Sequence, residues 1–289
     1  MLGFAETGSQ PAVDASSSTP APLAGGFCFG EGPRWFEGLL WFSDMLGEAI
    51  HTVTLNGSMT TVPLPGHSPS GLGFRPDGTL LVASAADRQV LCYDGDSVTT
   101  LVDLADRVPA DLGDMVVDAA GRSYIGSQAP SGGVLVRVDP DASVRIVAED
   151  LDFPNGMVIS PDGTTLTVAE SMGRRLTRFT IDADGGLQAR RTFADGLDGP
   201  PDGIALDAAG GVWTAMTLAN QFERIVEGGI VTDRIATGGR AAIACALGGR
   251  QRRTLFLLTS PSAYPKRLMG TRDSRLDTVT VEIPGAGLP

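Results

Sequence analysis

Three oxygen-bearing side chains, Glu31, Asn155 and Asp202, recur at matching places in a repeated pattern, each just ahead of a short apolar segment. A charged or amide group has no core-packing use at such a place. Two carboxylates and a carboxamide, with water completing the shell, suit a hard divalent cation such as Ca²⁺ or Mg²⁺. The competing reading is that Asn155 and Asp202 only tie down the loops that lead into those segments, because Pro-Asn-Gly and Pro-Asp-Gly are also turn sequences. Against it, Pro76-Asp77-Gly78 and Pro161-Asp162-Gly163 already supply the turns, and the Asp202 motif lies at the other end of its segment.

The pattern reads Glu31-Gly-Pro-Arg-Trp-Phe-Glu-Gly, Ser70-Gly-Leu-Gly-Phe-Arg-Pro-Asp-Gly, Asp114-Met-Val-Val-Asp-Ala-Ala-Gly, Asn155-Gly-Met-Val-Ile-Ser-Pro-Asp-Gly and Asp202-Gly-Ile-Ala-Leu-Asp-Ala-Ala-Gly. Its turn glycines are Gly38, Gly78, Gly121, Gly163 and Gly210, and a degenerate sixth copy begins at Ile243. Short strands and tight turns repeating every 40 to 50 residues or so mark the blades of a β-propeller. The spacing therefore predicts an all-β, six-bladed β-propeller with little helix. Side chains at one register position of every blade meet around the central channel. Counting back from the turn glycines puts Glu31, Ser70, Gly113, Asn155 and Asp202 on that ring. An open sheet edge invites aggregation, so strands near residues 25–29 and 277–282 are expected to close the ring within one shared blade.

Residues 23–289 then form a single propeller domain, and the Ser-, Ala- and Pro-rich residues 1–22 read as a flexible leader. A formal charge of −12 excludes a phosphate-backbone partner, which needs clustered Lys and Arg. No run approaches the ~18 apolar residues of a membrane span, and a cytoplasmic location is expected. Cys28, Cys92 and Cys245 show neither disulfide nor zinc spacing and read as buried thiols. No Gly-x-Ser-x-Gly elbow is present, and the two histidines leave little for a Ser-His-Asp triad. His51 is expected at the surface of blade one. His67 lies in a loop entering the channel mouth and, with the ring positions Ser70 and Gly113, is a candidate to face substrate.

The stretches Glu31-Gly-Pro-Arg-Trp, Leu40-Trp-Phe-Ser-Asp44, Pro154-Asn-Gly-Met, Pro201-Asp-Gly-Ile-Ala-Leu-Asp207 and Ala244-Cys-Ala-Leu-Gly-Gly249 together resemble the senescence-marker protein / gluconolactonase / luciferin-regenerating enzyme family of six-bladed propellers. The resemblance spans residues 25 to 260 or so. It implies one divalent metal held by Glu31, Asn155 and Asp202, with Ca²⁺ first and Zn²⁺, Mg²⁺ or Mn²⁺ as other candidates. It also implies hydrolysis of a lactone or small ester, the cation polarising the carbonyl. Asp202 is the expected base for the attacking water, and Asp114 is the second candidate. Family members commonly carry Asn-Asp where this chain has Gly113-Asp114, and sugar-lactone members tend to place Arg where it has Asp111. Those losses point to a less polar lactone or ester as the small-molecule substrate. Two other functions stay open: hydrolysis of a phosphotriester or fluorophosphate, whose P=O bond a channel cation would equally polarise, and a non-catalytic binding platform. The sequence is silent on oligomeric state.

Overall fold

The computed structural model describes residues 19–287. Six four-stranded antiparallel sheets follow one another around a central axis. Their innermost strands are Gly30–Phe36, Pro69–Phe74, Leu112–Val117, Pro154–Ile159, Pro201–Leu206 and Ala241–Gly248, defining blades one to six. Among the described residues, helix is confined to two 3₁₀ turns, Thr217–Ala219 and Pro265–Leu268. None is long and apolar enough to cross a membrane.

The turn glycines do what their spacing requires. Gly78 and Gly163, for example, adopt φ of 89° and 70°, a left-handed conformation that a residue with a Cβ enters at a cost. Apolar faces of neighbouring blades then interleave. Leu81 and Val90 of blade two pack with Met115, Ile125 and Val136 of blade three. Trp35 of blade one stacks on Phe256 of blade six at 5.4 Å between ring centroids, and Phe36 stacks on Phe74 of blade two at 3.9 Å.

The ring closes as the repeat demands. Strand Ala21–Phe27 pairs antiparallel with Ser274–Thr280, the third strand of blade six, and becomes that blade's outermost strand. The Asp44 carboxylate secures the crossing into blade one, accepting the backbone N–H groups of Cys28 and Phe29 at 2.9 and 2.8 Å. Ala21 and Pro22, assigned to the leader from composition, therefore belong to this closing strand; of the rest of that expectation, residues 19 and 20 precede the strand and residues 1–18 lie outside the described residues. Deleting residues 278–289 is expected to lower the melting temperature by on the order of 10 °C, because it cuts the strand that latches the first blade to the last. Differential scanning calorimetry checks this; an unchanged melt would show that closure lies elsewhere.

His51 departs from the sequence expectation. It is only 7% exposed, because the fourth strand of its blade covers it and Phe27 and Phe42 pack against the ring. Its Nδ1 meets Thr61 Oγ1 at 3.0 Å and its Nε2 faces Asp44 at 3.6 Å.

Candidate active site

Every innermost strand starts at the same end of the channel, and every one breaks register with its neighbour there. The irregularities fall between Glu31 and Arg34, Pro69 and Leu72, Leu112 and Met115, Pro154 and Met157, Pro201 and Ile204, and Ala242 and Ala244. A bulge inserts an extra residue and re-aims side chains that strict alternation would send to one face or the other. In this way a polar side chain is turned toward the channel at the head of an otherwise apolar strand. The glycine that follows in the repeat lets adjacent strands touch. A Cβ on Gly71 would lie 2.3 Å from Met115 N, and one on Gly156 would lie 2.4 Å from the Asp202 carbonyl oxygen. The polar ring is thereby drawn tight.

Glu31, Asp114, Asn155 and Asp202 are all between 4% and 8% exposed. Burial pushes the Glu31 carboxyl well above the usual carboxylate range, and the charges of Asp202 and Asp114 push it further. Asp202 is pushed up to about 7, first by burial and also by the charge of Asp114, while the Thr217 hydroxyl and the Asn155 amide oppose the shift. Asp114 is raised by burial as well, against the pull of Arg34. The three carboxylates thus feel one another directly.

Asp202 and Asn155 are held from behind. Thr217 Oγ1 donates to Asp202 Oδ2 at 3.2 Å. Asn155 Nδ2 donates to Ser171 Oγ at 3.3 Å, and Ser171 Oγ donates to the Pro201 carbonyl at 2.6 Å. Ser70 is buried, and its carbonyl accepts Ser43 Oγ at 2.6 Å. His67 belongs to a different contact: its Nδ1 pairs with Asp87 Oδ2 at 2.7 Å, half-buried. Gly113 brings no side chain to the ring.

Arg34 was given no role by the sequence, although it stands inside the Glu31-Gly-Pro-Arg motif. It reaches from blade one to blade three, donating through NH2 to Asp114 Oδ1 at 2.9 Å and to the Met115 carbonyl. Asp114 Oδ1 also accepts the Met115 N–H at 2.8 Å. A charged residue in an apolar innermost strand was the available signal, but its partner is 80 positions away. Replacing Arg34 with Met is expected to destabilise the fold by about 3–5 kcal/mol, because the Asp114 carboxylate is left buried without its counter-charge. Urea denaturation checks this; a loss under about 1 kcal/mol would mean that Asp114 finds another partner.

Two observations bear on a cation. Fully ionised, the three carboxylates outnumber the single buried guanidinium beside them and leave a surplus of negative charge. Asp202 Oδ1 is buried with no hydrogen-bond partner, a costly condition for a carboxylate oxygen unless something positive faces it. Among the described residues no group of three or more His, Cys, Asp or Glu side chains is arranged to hold a metal ion. Any donor set here would therefore have to be a mixed one, the candidates being Glu31 and Asp202 as anions and Asn155 as a neutral oxygen.

Fold and site define a six-bladed propeller with a buried acidic ring at one end of its channel. The chain belongs to the SMP-30/gluconolactonase/LRE-like family, whose profile matches residues 29–261. It is 31% identical over 242 residues to the 6-deoxy-6-sulfogluconolactonase of Pseudomonas putida, covering 80% of this chain and 83% of that one. It is 28% identical over 249 residues to a pentonolactonase of Haloferax volcanii, covering 80% and 81%. Regucalcin of Agrobacterium tumefaciens, described as a calcium-binding protein, has a similar structure, with a TM-score of 0.78 at 24% identity over 94% of this chain and 98% of that one. At that identity the likeness speaks for the fold.

Proposed function

We propose that this protein is a divalent-metal-dependent lactonase that opens the lactone of a sugar acid. The observation that carries the reading is the buried ring of Glu31, Asp114 and Asp202 with Asp202 Oδ1 unpartnered. The activities in the names of the two lactonase relatives support the choice of bond and favour a more polar substrate than the loss of the blade-three Asn suggests. Glu31, Asn155 and Asp202 would hold the cation, which when bound supplies Lewis-acid polarisation of the ester carbonyl.

The protein's own groups do the rest. Asp202 accepts the proton of the attacking water, with Oδ2 fixed by Thr217 so that Oδ1 is the basic atom. Asp114, locked by Arg34, keeps its position as an acceptor that orients that water. A bond forms between the water oxygen and the carbonyl carbon, the ring C–O bond breaks, and the departing oxygen takes up a proton to give the open hydroxy acid. A pH-stat assay on a panel of aldonolactones and simple alkyl lactones, with and without chelator, tests the reading. Acid release on the aldonolactones that stops with chelator and returns with added Ca²⁺ or another divalent ion is expected. No turnover of any lactone with metal present overturns the function, and full turnover in excess chelator overturns the metal requirement.

A further inference from the structure

In blades four and five, the residue immediately after the second strand reaches back to the ring. Ser171 follows Thr165–Glu170 and holds Asn155, and Thr217 follows Val212–Met216 and holds Asp202. The same place in blade three, after Ser123–Ser127, belongs to Gln128. The correspondence is one of pairing: Ser127 lies opposite Leu112 as Glu170 lies opposite Pro154 and Met216 opposite Pro201.

At the register position that Asn155 and Asp202 fill in their blades, blade three carries Gly113 and so offers no side chain there for Gln128 to hold. Instead, Gln128 occupies the space itself. A Cβ on Gly113 would lie 2.4 Å from Gln128 Nε2 and 2.8 Å from its Cγ. The backbone beneath is fixed, with Gln128 N–H donating to the Asp111 carbonyl at 2.8 Å and Ser127 Oγ donating to the Ala110 carbonyl at 2.9 Å. Gln128 is half-buried. An amide both donates and accepts, so it can engage a hydroxyl or an ester oxygen.

We propose that Gln128 is the substrate-positioning residue of blade three, its amide filling the ring place that Gly113 vacates and hydrogen-bonding the lactone. This rests on the lactonase reading and deepens it: the polarity that the sequence registers as lost at Gly113 returns from a different strand. Gly113 and Gln128 are then a coupled pair, since an Asn at 113 and a Gln at 128 compete for one volume.

Steady-state kinetics of the metal-loaded protein on the best lactone of the panel tests this. Gln128→Met keeps length and bulk without the amide, and is expected to raise KM roughly tenfold, as loss of a substrate hydrogen bond does, with kcat within about threefold and an unchanged melt. Gly113→Asn alone is expected to lower kcat/KM by crowding Gln128. Gly113→Asn combined with Gln128→Ala is expected to recover most of what Gln128→Ala loses, a rescue that a merely structural glutamine would not give. A wild-type KM in Gln128→Met, or a double variant no better than Gln128→Ala, overturns the inference while leaving the lactonase reading intact. A wild-type protein inactive on every lactone overturns both.

Discussion

Asp202→Asn is expected to reduce lactone turnover by about 10³-fold or more, since on the proposed function it removes the proton acceptor and one of two anionic cation donors together. The substitution keeps shape and leaves the Thr217 hydroxyl a side-chain oxygen to meet. Stability should move the other way. Asp202 is buried beside Glu31 and Asp114, and burial first, then repulsion from the neighbouring carboxylates, raises the Asp202 and Glu31 pKa values. Neutralising one member relieves that repulsion, so the metal-free variant should melt no lower than wild type and higher above pH 7. Function and stability would thus oppose each other at a single atom pair, as they do where a site is built against its own folding energy. Initial rates and calorimetry on the same preparation check both halves. A variant retaining more than a tenth of wild-type turnover would remove Asp202 from the chemistry.

The second large effect is the coupling of pH, cation and stability. The folded-state pKa of Asp202 is raised from 3.8 to about 7, and those of Glu31 and Asp114 are raised too. Between those values the folded protein binds more protons than the unfolded chain, so metal-free stability must fall as pH rises from about 4 to about 7. On the proposed function, a divalent cation would bind the ionised ring and compete with those protons. Its stabilisation grows with concentration over Kd, reaching about 4 kcal/mol at a thousandfold excess. The expected result is a melting temperature that drops between pH 5 and pH 8 in chelator and that Ca²⁺ raises more at pH 8 than at pH 5. Thermal unfolding at both pH values, with chelator and with Ca²⁺, reads this directly. Equal melts under all four conditions would mean that the ring neither holds extra protons nor binds the ion.

Much of the fold is legible along the chain because its cues are local. A turn that needs positive φ selects glycine, and Gly38, Gly78, Gly121, Gly163 and Gly210 all adopt it. Once the blades are counted, closure follows from the need to leave no edge, and Ala21–Phe27 meets Ser274–Thr280 as required. The candidate ring was legible for the same reason: a repeat repeats its geometry, so Glu31, Asn155 and Asp202 declare a common level by their offset from the turns.

Other features depend on contacts that no local rule anticipates. His51 is buried because a fourth strand and two phenylalanines cover it, one of them from the strand that closes the ring. The bulges that aim the ring inward arise from the fit of one strand to its neighbour. Arg34 finds Asp114 across two blades, and Gln128 fills a gap left by a glycine on a different strand. The sequence by itself determined the blades, their number and the level at which polar groups gather, since turn chemistry and alternation act within a few residues. Which carboxylate is paired, which oxygen is left bare and which amide replaces a missing one were decided only by tertiary structure, because burial and charge are properties of the space between strands.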